Sequence, residues 1–257
     1  MPLKIRFHLE GEAPADPYQH ARGLRALVLD WIGEIDPAYS KEVHDANQPK
    51  PYSIGTLRRH DTLRRACSFD LALLVDALYA PILQGQRQTG ETFQLGRVGY
   101  RIREVEILRP LTYEEIVHAA PDTAREFRFR QVTPTAHHRG SEIRKAILLP
   151  DPELYFGNWW MRWNLCSEWQ IARSLLEVVE RQVAITYCQG GTQTANIDKE
   201  RNFAGFRGDV TFALLKPDTV PPEVRQALAA LALFAEYSGT GVDTMRGMGE
   251  TQLLDIL

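Results

Sequence analysis

The chain opens on an alternation. Leu3, Ile5, Phe7 and Leu9 are apolar, while Lys4, Arg6 and His8 between them are polar. A period of two predicts a half-buried strand. After Pro14 and Pro17 the period lengthens: Leu24, Leu27, Val28, Trp31, Ile32 and Ile35 form one apolar stripe, which predicts an amphipathic helix over residues 18–35. Pro37 opens a short second helix that runs to His44. Pro49-Lys50-Pro51 then forces an extended backbone, and a strand is predicted over residues 52–59. Residues 69–79 are apolar throughout and fit a strand, a helix, or a strand passing into a helix. Residues 94–108 alternate through Tyr100, Ile102, Val105 and Ile107 with one slip of phase, which reads as a single bulged strand.

Thr112-Tyr113-Glu114-Glu115 marks a join between halves, and residues 126–132 begin a second alternating run. Pro150 and Pro152 precede a helix carrying Leu154, Phe156, Trp159, Trp160 and Trp163; the one-turn spacing of Trp159 and Trp163 assigns these rings to a core rather than to base stacking. Strands are expected near residues 183–188 and 208–215. Pro221 and Pro222 open a helix with Val224, Ala227, Leu228, Leu231, Phe234 and Ala235 on one face, and a last strand follows. Each half reads strand, helix, strands, helix, strand. The expected fold class is therefore α+β: two tandem ferredoxin-like domains, residues 1–120 and 121–257, each an antiparallel sheet with helices on one face.

Composition changes the picture in two places. The 257 residues are 44% hydrophobic and 25% charged, which suits a globular chain, but the formal net charge of -3 counts against a nucleic-acid binder. The charge is unevenly distributed. Lys50, Arg58, Arg59, Arg64 and Arg65 face only Asp61 within residues 47–65, and residues 125–145 are as basic through Arg125, Arg128, Arg130, Arg139, Arg144 and Lys145. Two basic segments on an acidic body suit a phosphate-binding groove. The cysteines, Cys67, Cys166 and Cys188, are odd in number and lack metal-ligand spacing, so neither a disulfide framework nor a zinc site is expected, and a reducing cytoplasm is. No signal-peptide core and no long apolar run appears, so no membrane contact is expected.

The most distinctive stretch is Ser238-Gly239-Thr240-Gly241-Val242-Asp243-Thr244-Met245-Arg246-Gly247-Met248-Gly249. Glycines here permit positive φ, and successive amides in such a turn can hold phosphate oxygens. The spacing matches neither a dinucleotide fingerprint nor a Walker loop. The pattern Gly-x-Gly-x-x-Thr-x-x-Gly-x-Gly, after an alanine-rich helix and before a final strand, resembles the C-terminal loop of the CRISPR repeat-processing endoribonucleases of the repeat-associated RNA-binding superfamily. Two upstream regions are similar to motifs of that family. One runs from Val132-Thr133-Pro134-Thr135 through Leu148 to Phe156 and Arg162-Trp163-Asn164; the other is Val43-His44-Asp45 with Lys50-Pro51-Tyr52-Ser53.

The resemblance implies cleavage of CRISPR precursor RNA by its own 2'-hydroxyl, giving a 2',3'-cyclic phosphate and a 5'-hydroxyl, with neither metal nor cofactor. It also implies a guide RNA retained as product. Such chemistry needs a proton carrier, for which histidine is suited near neutrality, and a cation against the crowded phosphate. His44 is expected in the first role and Lys50 in the second. His20 is a second candidate, although it continues the apolar stripe of its helix. The family's usual tyrosine in the first helix has no counterpart here, Trp31 lying there instead; Tyr39 and Tyr52 are the available substitutes. RNA contacts are expected from Arg58, Arg59, Arg64, Arg65, His137, His138, Arg139, Lys145, Gly239, Gly241, Thr244, Arg246, Gly247 and Gly249. The partners implied are CRISPR repeat RNA and the other subunits of a CRISPR effector, with the chain a monomer or homodimer. The alternative function is a non-catalytic RNA-binding subunit of an interference complex.

Overall fold

The computed structural model describes residues 1–46, 49–60, 65–139, 145–198 and 201–257. It divides into two compact units. The first comprises Met1–Pro110 with Asn196–Asn202 and Met245–Gly247; the second comprises Leu111–Ala195, Phe203–Thr244 and Met248–Leu257.

In the first unit, β1 (Leu3–Glu10) leads to α1 (Ala21–Ile35) and α2 (Pro37–Asp45). Then come β2 (Tyr52–Ile54), β3 (Arg58–Arg59), β4 (Ala66–Leu73), α3 (Tyr79–Thr89), β5 (Thr92–Leu95) and β6 (Val98–Pro110). The strand order is β2-β4-β1-β6-β5, with β3 also paired to β4. With β5 set aside, this is the order of a ferredoxin-like sheet. Alternation in β1 does what its period requires: Leu3, Ile5, Phe7 and Leu9 are buried, and the residues between them are half-buried. Phe7 stacks on Phe69 of β4 and packs against Trp31 of α1, each with ring centroids 5.0 Å apart. The apolar stripe of α1 closes this core through Leu24, Val28, Trp31 and Ile32. Each such buried side chain stabilises the fold by about 1.5–3 kcal/mol.

Two expectations are corrected here, and one left open is settled. Residues 94–108 are a hairpin and not one bulged strand: Leu95 pairs with Val98 across Gly96 and Arg97, with φ of 62° at Gly96. The slip of phase between Ile102 and Val105 is the expected bulge, where the pairing of β6 with β1 steps from Glu104 to Ile102, and a second register shift lies between Arg109 and Ile107. The strand expected over residues 52–59 is broken between Ile54 and Arg58. Of the readings open for residues 69–79, a strand passing into a helix is the one found: β4 ends at Leu73, and a short 3-10 turn, Asp76–Leu78, leads into α3.

The second unit contains α4 (Tyr113–Ala119), β7 (Glu126–Thr135), β8 (His137–Arg139), β9 (Lys145–Ile147) and α5 (Pro152–Cys166). After these come α6 (Ser174–Gln182), β10 (Val183–Asp198), β11 (Arg201–Leu214), α7 (Pro222–Ser238) and β12 (Thr251–Ile256). Its sheet runs β10-β11-β7-β12, again ferredoxin-like. Thr112 starts α4 with a reciprocal capping box to Glu115, so the join marked by this sequence is the first turn of a helix. Asp151 caps α5 by accepting from the amides of Glu153 and Leu154. Phe127 and Phe129 of β7 pack with Phe156 and Trp159 of α5, and Trp163 packs on Phe234 of α7. Trp159 and Trp163 are buried as expected, whereas Trp169 is about half exposed. The pattern reading had no helix at α6 and saw only the first part of β10. No described helix is long and apolar enough to cross a membrane.

Candidate active site

The first unit carries a cleft of about 600 Å³ whose walls combine cations with one imidazole. Arg22, Arg25, Ala26 and Leu29 line it from α1, at the i, i+3, i+4, i+7 spacing of a single helical face. Asp30 adds a carboxylate from the same helix, His44 comes from α2, Ile197 from β10 and Arg246 from the glycine-rich stretch. The face is polar because the opposite side of α1 holds the core residues Leu24, Val28 and Trp31.

His44 is held by its neighbour. Its Nδ1 lies 2.8 Å from Asp45 Oδ1, while Lys41 Nζ donates to Asp45 Oδ2 at 2.7 Å. These bonds, His44's foremost, hold the Asp45 carboxyl down to about 2. An ionised carboxylate can only accept, so Nδ1 carries the proton and Nε2 is the available lone pair of the neutral ring. The imidazole is well exposed, at 59% of its side chain.

Lys50 is buried, and its ammonium donates to the carbonyls of His44 at 2.8 Å and Ala46 at 2.7 Å. It thereby closes the C-terminus of α2, where a cation suits the helix dipole. Burial, followed by the charge of Arg25, pulls its pKa down. Two of its three donors hold the backbone beneath His44, and the positive charge lining the cleft is that of the three arginines. Tyr52 is fully buried and its hydroxyl pKa is raised by burial, with the charge of Arg25 the largest opposing influence.

Residues 129–251 match the family described as CRISPR-associated endoribonuclease Cas6. A CRISPR-associated endoribonuclease Cas6 of Mycobacterium tuberculosis is 28% identical over 138 residues, a stretch covering 53% of this chain and 41% of that protein. Among solved structures, a product complex of the Cas6 TTHB231, a Thermus thermophilus protein, superposes with a TM-score of 0.85 at 26% identity, covering 99% of both chains. A second, the product complex of the Cas6 TTHA0078, gives 0.82 at 25% identity over 99% of both. Its relatives are Cas6 endoribonucleases. A Cas6-related protein of Pyrococcus furiosus shares the fold at 13% identity, with a TM-score of 0.66.

The stretch matched to Cas6 contains the glycine-rich loop, and there the structure corrects the amide-cradle reading. Gly239, Gly241, Gly247 and Gly249 all have positive φ, as the composition allowed. Their surroundings are closed, however. The amide of Thr240 donates to Gly249 O, Gly241 to Asn158 Oδ1, Val242 to Ala136 O and Gly249 to Pro134 O. A Cβ on Gly249 would lie 1.9 Å from Thr240 O, and one on Gly241 2.2 Å from Ala136 O. Glycine is required here for close packing onto β7, and these donors are already engaged. Gly247 is buried against Thr56 in the first unit. Thr244 is buried too, its hydroxyl accepting from Arg162 Nη2 at 2.9 Å, while Arg162 Nη1 donates to Ser238 O at 2.9 Å. Arg162 is thus a buried cation held by loop oxygens, and burial lowers its pKa to about 10.

Of the other expected site residues, His20 lies on the buried side of α1, opposite the arginine face. It packs edge-on to Tyr100, its Nε2 has no partner, and burial lowers its pKa. His137 is also an interior residue: adjacent to β7 on β8, it packs against Tyr155 with centroids 5.1 Å apart, and burial pushes its pKa to about 3. The stretch around it is a strand, whose alternation turns His137 in and His138 out. Arg58 lies 3.4 Å from Asp70, and Arg139 bonds to Asp151 at 3.1 Å. Arg59, Arg65, His138 and Lys145 are exposed. Arg64 lies outside the described residues. Pattern reasoning missed Arg22, Arg25, Asp30 and Ile197. The helical face shared by Arg22, Arg25, Ala26 and Leu29 was readable, but only the apolar stripe of that helix was followed.

Proposed function

We propose that this chain is an endoribonuclease that cuts CRISPR precursor RNA within its repeats, using the RNA's own 2'-hydroxyl as nucleophile. The observation that carries the reading is the exposed His44 in a cleft lined by Arg22, Arg25 and Arg246. The 2'-oxygen attacks the adjacent phosphorus as its proton leaves, a five-coordinate phosphorane forms, and the P–O5' bond breaks as the 5'-oxygen gains a proton. The products are a 2',3'-cyclic phosphate and a 5'-hydroxyl. His44 Nε2 takes or returns the proton, while Asp45 fixes the ring's tautomer and orientation. The guanidiniums of Arg25 and Arg246 meet the extra negative charge of the phosphorane. Lys50 supports this arrangement by holding the carbonyls of His44 and Ala46. Arg59, Arg65, His138 and Lys145 are available to the rest of the RNA. The similar solved structures, which are product complexes of Cas6, support RNA as the ligand.

The test is cleavage of repeat RNA in EDTA by the wild type and by His44→Ala, with a second RNA carrying a 2'-deoxy nucleotide at the cut. Wild type should cut without added metal and His44→Ala should be slower by about 10²–10⁴-fold. The deoxy RNA should remain intact. Undiminished cutting of the deoxy RNA would end this mechanism, and binding without cutting by wild type would favour a non-catalytic RNA-binding subunit.

A further inference from the structure

Asp30 is out of place in a phosphate site. It is exposed, it lines the same cleft as Arg22, Arg25, His44 and Arg246, and among the described residues it makes neither a hydrogen bond nor an ion pair. A carboxylate there repels the phosphate that the arginines attract, so it opposes the binding of a bare anion. An ionised carboxylate is acceptor-only, and its two oxygens suit two adjacent donors. The wall beside it is apolar: Ala26 and Leu29 from α1, and Ile197, which is buried, from β10. A flat, apolar-faced group with donors along one edge would satisfy both features, and a cleft of about 600 Å³ falls within the usual range for small-ligand sites.

Single-stranded RNA presents such a group in a splayed-out base, recognised on its Watson–Crick edge. Among the four bases only guanine offers two neighbouring donors, N1–H and the 2-amino group, in a pair that one carboxylate can accept. Adenine and cytosine each present a single exocyclic amine on that edge, next to an acceptor that would face the carboxylate. We infer that Asp30 is a specificity-determining residue, which accepts from the Watson–Crick edge of a guanine next to the scissile phosphate while Ala26, Leu29 and Ile197 contact the base. The inference rests on the endoribonuclease reading for the position of that guanine. The recognition itself is a binding property.

The experiment uses repeat RNAs that differ only at one of the two nucleotides flanking the cut, carrying guanine, inosine, adenine or cytosine. Single-turnover cleavage rates and equilibrium binding are measured for wild type, Asp30→Asn and Asp30→Ala. At one flanking position wild type should prefer guanine over adenine by about ten- to a hundredfold, with inosine, which lacks the 2-amino group, between them. Asp30→Ala should remove most of that preference and Asp30→Asn should reduce it. Lack of discrimination by wild type at both positions, or a guanine preference undiminished in Asp30→Ala, overturns the inference. A wild type that binds with this preference yet cuts none of the RNAs would overturn the catalytic reading and leave Asp30's role standing.

Discussion

Two regions attract attention as RNA contacts, and they are built in opposite ways. The part of the glycine-rich turn in the second unit, residues 239–244 with 248 and 249, directs its amides inward, to Pro134, Ala136 and Asn158, and rests on the buried guanidinium of Arg162. The α1 and α2 face of the first unit directs its polar groups outward, into a cleft. The turn is conspicuous in the sequence because close packing tolerates only glycine there. The cleft is inconspicuous because ordinary helix chemistry builds it, with one side of α1 buried and the other charged. Unusual composition marks a packing constraint in the first case, and common residues at a common spacing mark the chemistry in the second.

The sharpest way to break this comparison is to add one methyl group to the turn. Gly249→Ala would combine a φ of 65° with a Cβ 1.9 Å from a backbone carbonyl that cannot move away alone. The expected loss is about 3 kcal/mol or more, read as a lowered denaturant midpoint. His44→Ala, at an exposed position, should change the midpoint by no more than about 0.5 kcal/mol while abolishing most cleavage. A Gly249→Ala variant of full stability would mean that the turn is not a packing element.

A second contrast concerns two histidines, exposed His44 and buried His137. The folded-state pKa of His137 is depressed to about 3 from 6.5, chiefly by burial and next by the charge of Arg162. The unfolded chain therefore binds the extra proton first. The contribution to stability is fully present above about pH 6.5 and is lost progressively as pH falls toward the folded value. Between about pH 6 and 4.5 the slope due to this one group approaches about 1.4 kcal/mol per pH unit. His137→Phe, which keeps a ring against Tyr155, should flatten that dependence in chemical denaturation. Equal acid sensitivity in wild type and His137→Phe would contradict the interior placement.

What the sequence disclosed follows the same division. The stripes Leu3–Leu9 and Leu24–Trp31 were legible because each periodicity is set by burial against one layer, and with them came the ferredoxin-like order of both sheets. The hairpin at Gly96 was not, although Leu95 stands out of phase with Val98, Tyr100 and Ile102, because the two-residue turn Gly96-Arg97 was read as part of the strand. Helix α6 was overlooked, although Leu175 and Val179 stand one turn apart on a short segment that also carries Glu177, Glu180 and Arg181. At the site, His44 could be singled out by its resemblance to a motif, yet its cleft partners lie 14 to 22 residues earlier on α1 or some 200 residues later, at Arg246. Proximity of that kind is decided by tertiary packing and leaves no local pattern. His137 and Thr244 were misassigned for the converse reason: a polar side chain in a motif is as useful for satisfying an interior as for touching a ligand.

The smallest expected effect tests the electrostatics directly. Arg25 lines the cleft, whereas Arg139, equally basic in the sequence, has Asp151 at 3.1 Å and Glu153 at 3.9 Å. An arginine that neutralises an RNA phosphate releases a counterion, so its removal lowers the steepness with which affinity falls as salt rises. For single strands the change is about 0.7 in the log–log slope per contact. Arg25→Ala should show about that change together with a several-fold weaker affinity at moderate salt, and Arg139→Ala should show neither, because its charge is already balanced within the protein. Binding of repeat RNA measured across a salt series decides the matter. A larger change of slope for Arg139→Ala than for Arg25→Ala would move the phosphate path from the α1 face to the β8 strand, and would reverse the contrast between the two regions.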